Sequence, residues 1–285
     1  MLARLLCPVS GTQGDRRALD AAATLALAFA AHVEVLHARP DPAAFVPYLG
    51  EGMSPGAVEA LIADAERRAE ESERRAREGF AAWAGARGIA IHAAPQIPRV
   101  ASCAWRREDG AEDFWIARRG RLCDLTVVAA PGGEASPAAA AAAEAALIDT
   151  GRPLLLAPAP PVALDGPAAI AWNGSPQAAR AVSAALPLLA RARSVEIVTV
   201  EETGRPADPA DLAEHLAWHG IAASARRVTR GDAGVAAALD AAIAAAGAAL
   251  VVMGGYTHGR LRELIFGGVT RHVLGACRLP TLLAH

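Results

Sequence analysis

The chain contains no lysine: every basic residue among its 28 Lys-plus-Arg positions is arginine. A P-loop ammonium on a γ-phosphate, a Schiff base with pyridoxal phosphate and a catalytic lysine amine are therefore all excluded. Net charge is also lacking, at -2 with a pI near 6.5, so no long-range field favours nucleic acid or an anionic membrane surface. Cys7, Cys103, Cys123 and Cys277 show no C-x-x-C pair or other zinc-like spacing, and read as ordinary buried thiols. Apolar runs are short as well. Those at 21–31 and 241–255 fall below the roughly 20 residues that span a bilayer, and the stretch before Pro8 is too brief for a secretory h-region, so a cytoplasmic location is expected. The nucleophile elbow G-x-S-x-G, the Walker loop and G-x-G-x-x-G are all missing, and with them the sequence basis for a serine hydrolase, a P-loop NTPase or a dinucleotide dehydrogenase. No residue is placed as a catalytic group or a metal ligand.

What is present is an internal repeat. Leu5-Leu6-Cys7-Pro8-Val9-Ser10-Gly11-Thr12 matches Ala169-Ile170-Ala171-Trp172-Asn173-Gly174-Ser175, an apolar run ending in a small polar turn ahead of an Ala-rich helical stretch. Val33-Glu34-Val35-Leu36-His37 then matches Val195-Glu196-Ile197-Val198-Thr199 residue for residue. Leu125-Thr126-Val127-Val128 pairs with Leu250-Val251-Val252, and Pro153-Leu154-Leu155-Leu156-Ala157 with Pro280-Thr281-Leu282-Leu283-Ala284. Short β-branched or Leu-rich runs alternating with helical patterns predict two α/β units, each a five-stranded parallel sheet covered by helices on both faces. Pro158-Ala159-Pro160-Pro161 is a stiff connector, which divides the chain into 1–160 and 161–285.

Helix signals agree. Ser175 is an N-cap, Pro176 fits the first helical position, and Pro187 is expected to kink the helix that they begin. Val58, Leu61, Ile62, Ala65, Ala69, Ala76, Phe80 and Trp83 define one apolar face of a long amphipathic helix, whose interspersed Glu and Arg read as a solvated face. His215 and His219 stand one helical turn apart, but Leu216 follows His215 where a metalloprotease general base would stand, so they read as surface histidines.

In an open parallel sheet, ligands bind beyond the carboxyl ends of the strands where the order reverses. In the second half that rule selects Ala171, Trp172 and Asn173 after the first strand and the Gly-rich stretch from Met253 to His272. Glycines let backbone N–H groups approach an anion, and Gly267-Gly268 stand where a last helix should begin and offer its first-turn amides to a phosphate. His258, Arg260 and Arg262 are candidates for neutralising it, the arginines through forked donors. This stretch resembles the universal stress protein family, whose nucleotide-binding members carry G-x2-G-x9-G-(S/T) after the fourth strand. Gly254 matches the first glycine, Thr257 stands at the second, Gly267 takes the third and Gly268 the Ser/Thr place, while Gly259 or Thr270 compensates.

The resemblance covers both halves, and the continuation from Gly268 to Leu274 is like that of the tandem bacterial members. It implies two flavodoxin-like, adenine-nucleotide-hydrolase-like domains with strand order 3-2-1-4-5. The first would be degenerate, because Ala129-Ala130-Pro131-Gly132-Gly133 has no later Gly pair, and the second would keep part of its loop. It implies that Ala171, Trp172, Asn173, Met253, Gly254, Thr257, Gly259, Gly267, Gly268, Val269 and Thr270 bind ATP or another adenine nucleotide. Asn173 stands where the family usually has Asp, so Mg²⁺ dependence is expected to be weak. The implied role is stress-response sensing of a small-molecule nucleotide, with no nucleic acid or membrane partner. The halves would form an intra-chain pseudo-dimer through Leu154–Ala157 and Thr281–Ala284, and a homodimer of whole chains stays open. A ligand-free interaction module and a weak nucleotide hydrolase are the alternatives.

Overall fold

In the computed structural model, the described residues are 2–41, 54–130, 137–158, 162–201, 207–232, 234–255 and 278–285. The first half contributes β1 (Arg4–Pro8), α1 (Asp15–Phe29), β2 (His32–Arg39), α2 (Pro55–Arg87), β3 (Ala90–Ile91), β4 (Ser102–Asp109), α3 (Glu112–Gly120), β5 (Leu125–Ala129), α4 (Pro137–Ile148) and β6 (Leu154–Ala157). The second half contributes β7 (Ala168–Ala171), α5 (Pro176–Leu189), β8 (Val195–Glu201), α6 (Pro209–Trp218), β9 (Ala223–Thr229), α7 (Gly234–Ala245), β10 (Leu250–Gly254) and β11 (Thr281–Ala284).

Local chemistry sets the helix starts. Ser54, Ser175 and Asp208 each accept a hydrogen bond from a first-turn amide, and Pro55, Pro176 and Pro209 follow them, where a missing N–H costs nothing. The expected interior proline, Pro187, lies near the end of α5, which continues only to Leu189. The amphipathic face predicted for α2 is real at Ala69, Ala76, Phe80 and Trp83, which are buried.

All strands belong to one sheet of order β3-β4-β2-β1-β5-β6-β11-β10-β7-β8-β9. From the middle outward, each half has the same arrangement, with its first strand beside its second and its fourth beside its fifth. The first half differs from expectation by an additional edge strand, the two-residue β3, which pairs parallel with β4. Among the described residues every pairing is parallel except β6 with β11, where Leu156, Leu155 and Leu154 lie opposite Thr281, Leu282 and Leu283. That antiparallel seam is the contact implied by the family resemblance.

The repeat is kept at the level of single bonds. Val9 N–H donates to Leu36 and Trp172 N–H to Val198, while Asp124 N–H donates to Arg4 and Ala249 N–H to Pro167. Arg4 therefore corresponds to Pro167, Val9 to Trp172, His37 to Thr199 and, through the β2–β4 and β8–β9 registers, Arg106 to Arg226.

One apolar layer runs beneath α1, α2, α5 and α6 through Leu5, Leu25, Trp83, Ile170, Leu188 and Leu216, spanning both halves. On the opposite face Met253 and Leu283 of the second half sit in the cluster of α4, with Leu6, Leu147 and Leu154. The halves thus share core as well as a sheet seam. A fragment of residues 1–158 would expose both the β6 edge and this apolar face, and is expected to self-associate. Light scattering that found it soluble and monomeric would contradict that expectation. Among the described residues, no helix is long and apolar enough to cross a membrane.

Candidate functional site

The two crevices singled out by strand order lie past the carboxyl ends of β1 and β5 and of β7 and β10. In the first half, the crevice is filled by the chain itself. The Asp15 carboxylate accepts the backbone N–H groups of Ser10 (3.0 Å), Gly11 (2.7 Å) and Thr12 (3.1 Å), together with the Thr12 hydroxyl at 3.1 Å. A ring of amides that would suit an anion already holds one. Helix α2 then lies across the turn: Ser72 Oγ donates to Ser10 O at 2.7 Å, and Arg75 Nε to Gly11 O at 3.2 Å. Gly11 has φ +74, and a Cβ there would strike the Ser72 carbonyl. Deeper in, buried His37 donates from Nδ1 to Val9 O at 3.0 Å and stacks on Trp105 at 5.9 Å, while Phe80 of α2 packs against the same indole at 5.7 Å.

A second carboxyl stands at this end of these strands. Glu112, the first residue of α3, is half-buried, and its pKa is pushed up to about 7 by burial first, then by the charges of Asp15 and Asp113.

The second half differs at each of these points. Helix α6 has 10 residues against 33 in α2. Trp172 stands in place of Val9, and Thr199 in place of His37. Both side chains face α5 and α6, because Ile170 and Ile197, two residues earlier on each strand, belong to that core layer. The indole Nε1 of Trp172 and the Thr199 hydroxyl are buried without a hydrogen-bond partner among the described residues. A buried donor left unmade costs about 1–3 kcal/mol. The Asn173 side chain closes its own turn, accepting the Ser175 N–H at 3.1 Å, which leaves its amide NH₂ as the donor end turned outward.

The remaining predicted residues fall into two groups. Ala171 faces the opposite layer, and the Met253 side chain is buried against the α4 cluster, on a strand paired with β11 and β7. Gly254 ends β10 against the first turn of α5: a Cβ would lie 2.6 Å from Ala178 N and 2.9 Å from Gln177 C. This glycine is required by helix–strand packing whatever it binds. Thr257, His258, Gly259, Arg260, Arg262, Gly267, Gly268, Val269 and Thr270 lie outside the described residues. So do Gly132, Gly133 and Cys277, whereas Cys7, Cys103 and Cys123 are buried free thiols. Burial pushes the Cys103 thiol up to about 11 and the Cys123 thiol up to about 12.

His215 and His219 are both exposed on α6, with ring centroids 4.9 Å apart. No cluster of three metal-ligating side chains occurs among the described residues. Sequence reasoning overlooked Asp15, His37 and Thr199. The signal for Thr199 was already in the repeat, which aligns it with His37, but only the structure shows that both end at a crevice.

The sequence matches no family model and no curated protein. The fold does have solved counterparts. A universal stress protein from Archaeoglobus fulgidus DSM 4304 matches over 99% of this chain and 95% of its own, at 17% identity and a TM-score of 0.70. A putative universal stress protein from Pseudomonas aeruginosa UCBPP-PA14 matches over 99% and 93%, at 16% identity and a TM-score of 0.56. Over its full length, the chain has the fold of these proteins.

Proposed function

We propose that this chain, folded as the universal stress proteins are, works as a tandem member of that group: residues 161–285 bind an adenine nucleotide, and residues 1–160 form a companion domain whose own crevice is closed. The observation that carries the reading is the contrast at equivalent positions. Where Asp15 is caged by amides and His37 is tied to Val9 through Nδ1, with its Nε2 unpaired among the described residues, the second half offers two buried donors, Trp172 Nε1 and Thr199 Oγ1, with no acceptor among the described residues. A purine presents ring nitrogens that accept, so a base seated there would remove the cost of both. The Asn173 NH₂ lies at the mouth, suited to a ribose hydroxyl. Gly267 and Gly268 are proposed to receive the phosphates at the last helix, with His258, Arg260 and Arg262 balancing charge.

ATP at 100 times its dissociation constant should stabilise the protein by about 2.7 kcal/mol. The same response with and without Mg²⁺ is expected, because Asn173 offers no carboxylate to the metal. Trp172→Phe removes the donor and leaves a smaller ring, so it should weaken ATP by about tenfold, with any loss of unliganded stability measured alongside. Thermal shift and calorimetry read both quantities. No shift at millimolar ATP would turn the assignment to a ligand-free interaction module, a reading favoured by the Asn173 carbonyl being used in its own turn.

A further inference from the structure

A cavity of about 450 Å³ lies at the amino ends of β1, β2 and β4, the other end of these strands from the closed crevice of the first half. Its size falls within the range of small-molecule sites. The floor carries Arg4, His32, Glu34, Ser102, Ala104 and Arg106, and the wall is the segment between β3 and β4, with Ala93, Ala94, Pro95 and Val100 turned to the cavity. We propose that this cavity binds a small organic monocarboxylate, its carboxylate on the Arg106 guanidinium and its apolar body against the alanine, proline and valine wall.

The charge balance decides the sign. Glu34 is buried, hydrogen-bonded by Arg4 Nη2 on one oxygen, with Arg119 Nε at 3.5 Å from the other as a charge neighbour without a hydrogen bond, and Arg119 also pairs with Glu108. Arg106 forms no hydrogen bond or ion pair among the described residues. Its counterpart in the second half is not left over in this way: Arg226 lies 3.6 Å from Glu196, the counterpart of Glu34. The difference follows from one position. Pro167 stands where the first half has Arg4, so Glu196 has no cation at that side and is left for Arg226, whereas Arg4 claims Glu34 and releases Arg106. His32 adds no positive charge. It shares a 3.0 Å hydrogen bond with Ser102 Oγ, and burial, then the charge of Arg4, holds its pKa below the ordinary value.

The wall points the same way. In the second half, α6 ends at Trp218 and β9 starts at Ala223, while the first half places residues 88–101 between α2 and β4. The cavity is thus enclosed by a segment the repeat does not require. A single unmatched guanidinium forks onto one carboxylate. Arg99 also borders the cavity, so inorganic phosphate is the competing anion to test.

Ligand-observed NMR and calorimetry on the full-length protein, with hexanoate and benzoate as probes and hexanamide and benzamide as their neutral isosteres, test the assignment. The carboxylates should bind at millimolar concentration or below, and the amides about tenfold more weakly. Arg106→Gln should weaken the carboxylates by a similar factor without changing the melting temperature, since Arg106 is exposed and has no partner among the described residues. Ala104→Phe, which fills the floor, should abolish binding. Carboxylates that fail to bind, amides that bind equally well, an Arg106→Gln variant with unchanged affinity, or uptake of inorganic phosphate in their place would each overturn the proposal. Because the cavity is built on β1, β2 and β4 of the first half and the proposed nucleotide crevice on β7 and β10 of the second, its outcome is independent of whether ATP binds.

Discussion

Gly254→Val is expected to destabilise the protein by about 3 kcal/mol or more, the upper part of the range for overpacking a site that has no room. The clash is with backbone. A Cβ at this position would meet Ala178 N at 2.6 Å and Gln177 C at 2.9 Å, both in the first turn of α5. That turn does not yield cheaply, because Ala178 N–H is itself held by the Ser175 cap at 3.2 Å, and Ala178, Ala181 and Ala185 beyond it are buried in the shared core. Relief would push α5 away from β10 and move Trp172 and Asn173, which connect β7 to it, so ATP binding should fall along with stability. Gly79 supplies the control. It lies inside α2 with no atom within 4 Å of the place a Cβ would occupy, so Gly79→Ala should gain up to about 1 kcal/mol from helix propensity alone. Urea unfolding of both variants decides the matter. A Gly254→Val midpoint equal to that of the wild type would mean that α5 does not press on β10 as described.

The duplicated α/β architecture was legible because it rests on patterns that burial enforces. Leu5, Leu125, Leu154, Ile170 and Leu283 lie in strands buried on both faces, so each strand reads as a short continuous apolar run, and the two sets recur in the same order. The β6–β11 seam was implied by the family resemblance rather than by the runs themselves. Caps were equally plain, because Ser175 and Pro176 act within one turn of their own position. The extra strand β3 was not legible, as Ala90 and Ile91 are two exposed residues whose only tie is the β4 ladder.

The crevices were legible in location but not in state. Strand order alone directs attention to Ser10–Thr12 and to Trp172–Asn173. Whether such a turn is open depends on contacts distant in sequence: Ser72 and Arg75 reach the first turn from more than 60 positions away, at separations of 62 and 64. No local pattern marks them, since on α2 they belong to the same Glu/Arg-rich face that reads as plain solvated surface. Gly254 illustrates the converse. Its place in the Gly-rich stretch suggests a phosphate contact, yet the packing of α5 would require glycine there with no ligand at all.

Glu112→Gln should leave stability unchanged below pH 4.5 and raise it by about 2 kcal/mol at pH 8. An ordinary glutamate titrates near 4.5, and this one is raised to about 7. The fold therefore favours the protonated form: its contribution is fully present below 4.5, diminishes as pH rises, and is lost once pH has passed about 7. The groups responsible are the desolvating surroundings, the Asp15 carboxylate across from it and Asp113 beside it on α3. A position at the start of a helix should favour a negative charge, so burial and two neighbouring carboxylates outweigh the dipole here. Urea unfolding from below pH 4.5 to pH 8 measures the effect, as the curves for wild type and variant must diverge over that interval. Parallel curves would mean that Glu112 titrates as a solvated carboxylate and that Asp15 does not act on it. If they diverge, the carboxyl ends of β1 and β5 carry Asp15 held by amides and, above neutral pH, a second ionised carboxylate beside it. A phosphate approaching that crevice would meet like charge as well as the bulk of α2, so its closure is electrostatic in addition to steric.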